Sequence, residues 1–340
     1  MPKETYYIGE QSLTFPNDVY LISSASVVGK KEGEGPLGSA FDMICDDDKF
    51  GEDTWEMAES TLQKEALTLA IGKGNLKNED VRYLFAGDLL GQNIATSFGL
   101  MDYEIPLFGL YGACSTAGES LSLAAMCVGA GYAKTVAALT SSHFASAEKQ
   151  FRFPLEYANQ RPVSATWTVT GSGAFLLSCK KGDVRVAGIT TGKIVDMGIK
   201  DSMNMGAAMA PAAADLIARH LEDFNRKPSD YDKIVTGDLG YVGQEILIDL
   251  LKKKEIDISD VHEDCGILIY DKEKQGTGSG GSGCGCSAVT LSAHYLPQLK
   301  EGSLKRILFV PTGALLSTVS FNEGQSVPGI AHGVVIEHAD

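Results

Sequence analysis

Cys114 stands between two runs of small residues, GLYGACSTAGESL at 109–121, where an apolar helix is expected to begin. A thiol at a helix N-terminus can become a nucleophile, because the helix dipole favours the thiolate. Gly112 and Ala113 would let the chain turn sharply and keep the sulfur reachable. The competing reading is a small buried hydrophobe, which is what most free cysteines are. The remaining cysteines are Cys45, Cys127, Cys179, Cys265, Cys284 and Cys286. An odd total at irregular spacing fits a reducing compartment better than a disulfide framework.

Two histidines are candidates to line a pocket beside Cys114: His143, after the apolar run KTVAALTSS, and His332, in the closing GIAHG turn. His294 is expected to be buried or on a helix flank, and His220 and His262, in charged surroundings, to be solvated. Cys284-x-Cys286 lacks the spacer and second ligand pair of a zinc site. CDDDKFGED at 45–53 lacks the ligand spacing of a calcium loop, so no metal site is expected. QGTGSGGSGCGC at 275–286 lacks the Lys-Ser/Thr of a phosphate loop, and no cofactor is expected. A formal net charge of −15 argues against nucleic acid as a partner. The N-terminal residues have no apolar signal core, and the weakly charged stretch 120–133 is too short to span a bilayer. An intracellular protein without a transmembrane segment is expected, with docking on a membrane complex left open.

The elements that must hold these residues recur. Residues 54–71 read as a helix, 81–88 as a buried strand, 114–128 as a second helix and 134–142 as another strand. Residues 163–177 read as two strands meeting at a Gly-Ser-Gly turn, and 205–224 as an alanine-rich helix. DKIVTGDLGYVGQEI at 232–246 echoes VRYLFAGDLLGQNIA at 81–95, and GCGCSAVTLSA at 283–293 echoes YGACSTAGESL at 111–121. KRILFV at 305–310 then echoes KTVAAL at 134–139. Three echoes in one order point to a duplication, with halves 1–182 and 183–340.

A duplicated α/β chain with a cysteine opening a buried helix in each half resembles the thiolase superfamily, nearest its ketoacyl-acyl carrier protein synthase III type. SASVVGKKEGEGPLGSAFD, WTVTGSGAF and PGIAHGVVIEH also resemble the stage V sporulation proteins of spore-forming Firmicutes. The resemblance implies a duplicated thiolase-like fold of α/β/α/β/α layers, and a homodimer pairing through TVAAL. It also implies a pocket at Cys114, the nucleophile position, formed with Asp88, His143, Asp238 and the turn that carries Gly285, Cys286 and Ser287. The synthases place a histidine where Gly237 falls and an asparagine where Gly285 falls, so both polar donors are missing. Asp238, beside Gly237, only accepts hydrogen bonds when ionised and would repel an oxyanion. Condensation is therefore not expected, although an acyltransferase using Cys114 remains the rival. The sporulation family implies binding of dipicolinic acid, or its calcium complex, for uptake into the developing spore. That role implies a peripheral place at the spore inner membrane and membrane-protein partners, for which the chain could be a scaffold subunit. Arg carboxylate pairs suit such a ligand. Residues 141–167 interleave Lys149, Arg152 and Arg161 with aromatics; a dimer-contact or scaffold loop is the first reading of these arginines, and ligand contact, with Arg161 taken into the pocket, is compatible with it.

Overall fold

The computed structural model describes residues 5–152, 155–158 and 160–339. Its framework strands are β1 (Tyr20–Gly29), β2 (Leu84–Gly87), β3 (Leu107–Leu110), β4 (Thr135–Ser142) and β5 (Gly171–Ser178). The second set is β6 (Val184–Thr191), β7 (Lys233–Thr236), β8 (His262–Asp264), β9 (Arg306–Val310) and β10 (Gly329–His338). The first set is ordered 1-5-4-2-3 and the second 6-10-9-7-8, so adding five to each strand converts one into the other. Strand directions repeat too. In each set the first two pairings are antiparallel and the last two parallel. The sets meet where Tyr20 pairs with Arg185.

Helices complete the layers. α1 (Trp55–Lys73) starts at Thr54, whose Oγ1 accepts from the Met57 N–H at 3.2 Å. Its residues Ala58, Leu62, Ala66 and Ala70 recur every four positions and are fully buried. That stripe packs on β1, β4 and β5. α2 (Thr116–Gly129) and α6 (Cys284–Thr290) lie between the two sets of strands. Small residues suit that central layer: a Cβ on Gly118 would stand 3.0 Å from the His332 carbonyl oxygen. α3 (Phe144–Phe151) follows β4, and α4 (Met205–Asp223) covers the outer face of the second set beside α5 (Gly240–Lys252).

Two expectations are corrected. Gly171-Ser172-Gly173 is not a turn but the start of β5, where a Cβ on Gly173 would come within 2.7 Å of Ala288 in α6. TVAAL lies in β4, flanked by β5 and β2, so both its edges are occupied; among the described residues the free edge of this half is β3. Among the described residues no helix is long and apolar enough to cross a membrane.

Candidate functional site

β3 delivers the chain to a sharp elbow. Ala113 takes a left-handed backbone, φ 51°, and Cys114 follows it two residues before α2. Thr116 Oγ1 bonds the Ala113 carbonyl at 2.6 Å and accepts from the Gly112 N–H at 3.0 Å, while Ser115 Oγ bonds the Gly112 carbonyl at 2.7 Å. Left-handed alanine costs about 1–2 kcal/mol, so these bonds hold a strained turn immediately before Cys114.

The sulfur meets Asp238. This aspartate is buried at the end of β7; its Oδ2 accepts from the Gly283 N–H at 2.9 Å and Ser282 Oγ at 3.2 Å, and its Oδ1 from Thr312 Oγ1 at 2.8 Å. The Cys114 thiol donates to the same carboxylate. Burial foremost, then the Asp238 charge and the nearby Cys284, push the Cys114 thiol well above the usual thiol range; the Gly283 N–H works weakly the other way. Burial also raises Asp238 to about 6, against the bonds from Gly283, Cys114 and Thr312. The helix dipole is outweighed, and the sulfur is held as a thiol.

The positions that the resemblance matches to the synthases' two donors are tightly packed. A Cβ on Gly237 would lie 3.0 Å from Pro311 Cα and 3.3 Å from Ser287 Cβ. One on Gly285 would lie 2.2 Å from the Gly171 carbonyl oxygen. A side chain at Gly285 would collide with backbone, and one at Gly237 would require its neighbours to give by a few tenths of an ångström.

The cavity over Cys114 measures about 40 Å³ and is walled by Leu89, Tyr111, Ala113, Phe151, Arg152, Thr168, Ser282 and Leu316, among others. That volume admits a water or two, not an aromatic diacid. Phe151, Arg152 and Leu316 also wall a second, larger pocket of about 560 Å³, which opens outward past Glu148, Tyr157, Arg161, Met203 and Phe321. Its size is in the range of small-molecule sites. Glu148, fully buried, ties its two arginines together: Oε1 accepts from Arg152 Nη1 at 2.6 Å and from Arg161 Nη1 at 2.8 Å. Arg161 also donates to the Ala158 and Thr166 carbonyls and lies over the Phe144 and Trp167 rings.

Three comparisons place this geometry. The chain matches the profile of the stage V sporulation protein AD (SpoVAD) family over residues 9–337. It is 46% identical over 331 residues to stage V sporulation protein AD of Bacillus subtilis (strain 168), covering 97% of this chain and 98% of that one. The chain belongs to the SpoVAD family. Solved structures of similar fold include 3-oxoacyl-[acyl-carrier-protein] synthase III from Aquifex aeolicus VF5, 14% identical with a TM-score of 0.57 over 94% of this chain and all of that one. Another is human mitochondrial 3-ketoacyl-CoA thiolase in complex with CoA, 13% identical with a TM-score of 0.56 over 96% and 99% of the two chains. At such identities the likeness shows the fold: a duplicated thiolase-like α/β architecture.

Several residues expected in the pocket stand behind its wall. Asp88 is buried against the Leu90 N–H and against the N–H and hydroxyl of Thr96, at 2.6–2.8 Å. His143 caps α3, its Nδ1 accepting from the Ala145 N–H at 3.1 Å while Nε2 meets the Asp48 carbonyl at 2.7 Å. Neither lines the Cys114 cavity, because local backbone groups claim their polar atoms. Cys286 points at the Gly237 carbonyl, Ser287 Oγ turns back to the Cys284 carbonyl, and the Gly285 N–H bonds Ser142 Oγ. His332 is buried in β10, outside the lining, and burial lowers its pKa to about 4. Cys114 walls the inner cavity and Arg161 the outer pocket, so the single pocket expected to hold both is divided in two. His220 and His262 are not solvated. His220 is enclosed between Thr190 Oγ1 at 2.6 Å and the Tyr231 hydroxyl at 2.5 Å, and His262 Nε2 lies 2.9 Å from Thr236 Oγ1.

Proposed function

We propose that the outer pocket binds dipicolinate, or its calcium complex, without turning it over, as a step of uptake into the developing spore. The observation that carries this reading is the pair of arginines, Arg152 and Arg161, on a pocket of about 560 Å³ in a strongly acidic protein. Two guanidiniums against the single Glu148 carboxylate leave a local positive charge, and guanidinium forks suit carboxylates. Membership of the SpoVAD family supplies the sporulation setting. The protonated Cys114, with a carboxylate beside it instead of oxyanion donors, supports binding over catalysis. In this reading the chain works as a homodimer of two-half subunits, peripheral to the spore inner membrane beside membrane-protein partners. Calorimetry on the purified protein tests it: dipicolinate should bind, and Arg152→Ala should weaken binding at least about tenfold. No binding at millimolar dipicolinate would overturn the reading.

The strained elbow at Ala113 favours one rival, an acyltransferase that uses Cys114. A stable adduct after incubation with acyl-CoA, seen by mass spectrometry and lost in Cys114→Ala, would establish that rival instead.

A further inference from the structure

The Arg152–Glu148–Arg161 cluster is hydrogen-bonded in an uneven way. Both arginines direct Nη1 to one oxygen of Glu148, at 2.6 and 2.8 Å. The other oxygen, Oε2, is buried and has no hydrogen-bond partner among the described residues, and neither has the buried Nε of Arg152. An arginine just past the end of a helix and a carboxylate four residues before it could engage through two parallel bonds, satisfying both atoms. Here Glu148 is shared between two guanidiniums, and Arg152, which walls both the inner and the outer pocket, keeps an enclosed Nε that Glu148 does not take. Arg161 is better satisfied, through Ala158 and Thr166. A carboxylate entering the outer pocket, which both arginines line, therefore competes for them with a carboxylate that the protein itself supplies.

We propose that Glu148 is a built-in competitor: it occupies the arginines when the pocket is empty, holds down the affinity for an anionic ligand, and promotes its release. This inference rests on the proposal that the outer pocket takes a dicarboxylate. The Coulomb penalty that Glu148 imposes scales with ligand charge, so it acts more strongly on a dianion than on a monoanion. A protein that binds a ligand in order to pass it on gains from such a group, because the returning carboxylate replaces the one that leaves.

The test compares wild type with Glu148→Gln and Glu148→Met, titrated with dipicolinate and with picolinate, which carries one carboxylate. The expected result is dipicolinate binding tightened about tenfold or more in both variants, with slower dissociation and a smaller gain for picolinate. Equal or weaker dipicolinate binding in folded variants would make Glu148 an orienting support and overturn the inference, while wild-type binding preserved the pocket reading. Wild-type protein that binds neither ligand would overturn the pocket reading itself. Removing the counter-ion of two buried arginines is expected to lower the melting temperature. Dipicolinate should then raise the melting temperature of the variants more than that of wild type, a shift that a merely structural Glu148 would not produce. If neither variant folds even with dipicolinate present, Glu148 is a structural counter-ion and the inference fails.

Discussion

At the scale of residues, Cys114 and Asp238 define each other. Cys114 donates to an aspartate where the synthases would offer a histidine, and burial foremost, then the negative charge, raises its pKa. Asp238→Asn should therefore lower the thiol pKa and speed alkylation of Cys114 by iodoacetamide at pH 8, by about tenfold on removal of one adjacent charge. Peptide mass spectrometry would follow the rate, and an unchanged rate would show that burial alone silences the sulfur. The cysteine elbow was legible from residue types and spacing, and the two missing donors only through the resemblance to the synthases. Glu148 was not: an acid four residues before Arg152 reads as an exposed helix pair, and only the fold shows it fully buried between two arginines. His220 was misjudged for a related reason. Its sequence neighbours are charged, but its partners Thr190 and Tyr231 arrive from other elements.

At the scale of elements, glycine marks where helices press on strands. The run Gly171-Ser172-Gly173 reads as a turn because glycine and serine favour turns, yet it belongs to β5, where α6 comes too near for a side chain. The same contact explains Gly285: its neighbour across the layer is the Gly171 carbonyl oxygen, not the pocket. Gly285→Asn would thus fail to recreate the family's donor. It should destabilise the fold by about 3 kcal/mol, the upper range for overpacking a core, readable as a fall in the urea unfolding midpoint. An asparagine variant as stable as wild type would show that α6 can retreat and that the missing donor was not excluded by packing. The repeated strand order was legible because each echo fell at the same place in its half, whereas His143 was misplaced because a histidine at a strand end can equally cap the next helix.

At the scale of the whole molecule, the free edge bears on the pocket. Among the described residues β3 pairs with β2 on one side only; its Leu107 and Phe108 are exposed, as are Ile94, Phe98 and Met101 in the segment that precedes it. An unpaired edge strand flanked by large apolar side chains is a pairing site, and a four-residue strand can meet its own copy antiparallel about a two-fold axis. That places the proposed homodimer contact at β3 rather than at TVAAL. Tyr111, immediately beyond β3, is half-exposed on this edge and also walls the Cys114 cavity. A partner on the edge would cover it and steady the elbow that Phe151 and Arg152 pack against. Phe108→Lys places like charges opposite each other across the two-fold, so light scattering should find wild type dimeric at micromolar concentration and the variant monomeric. The monomer should also bind dipicolinate more weakly, by several-fold, because a loosened elbow leaves Arg152 less well positioned. A monomeric wild-type protein would remove the proposed interface, and a monomeric variant with undiminished binding would separate the interface from the site.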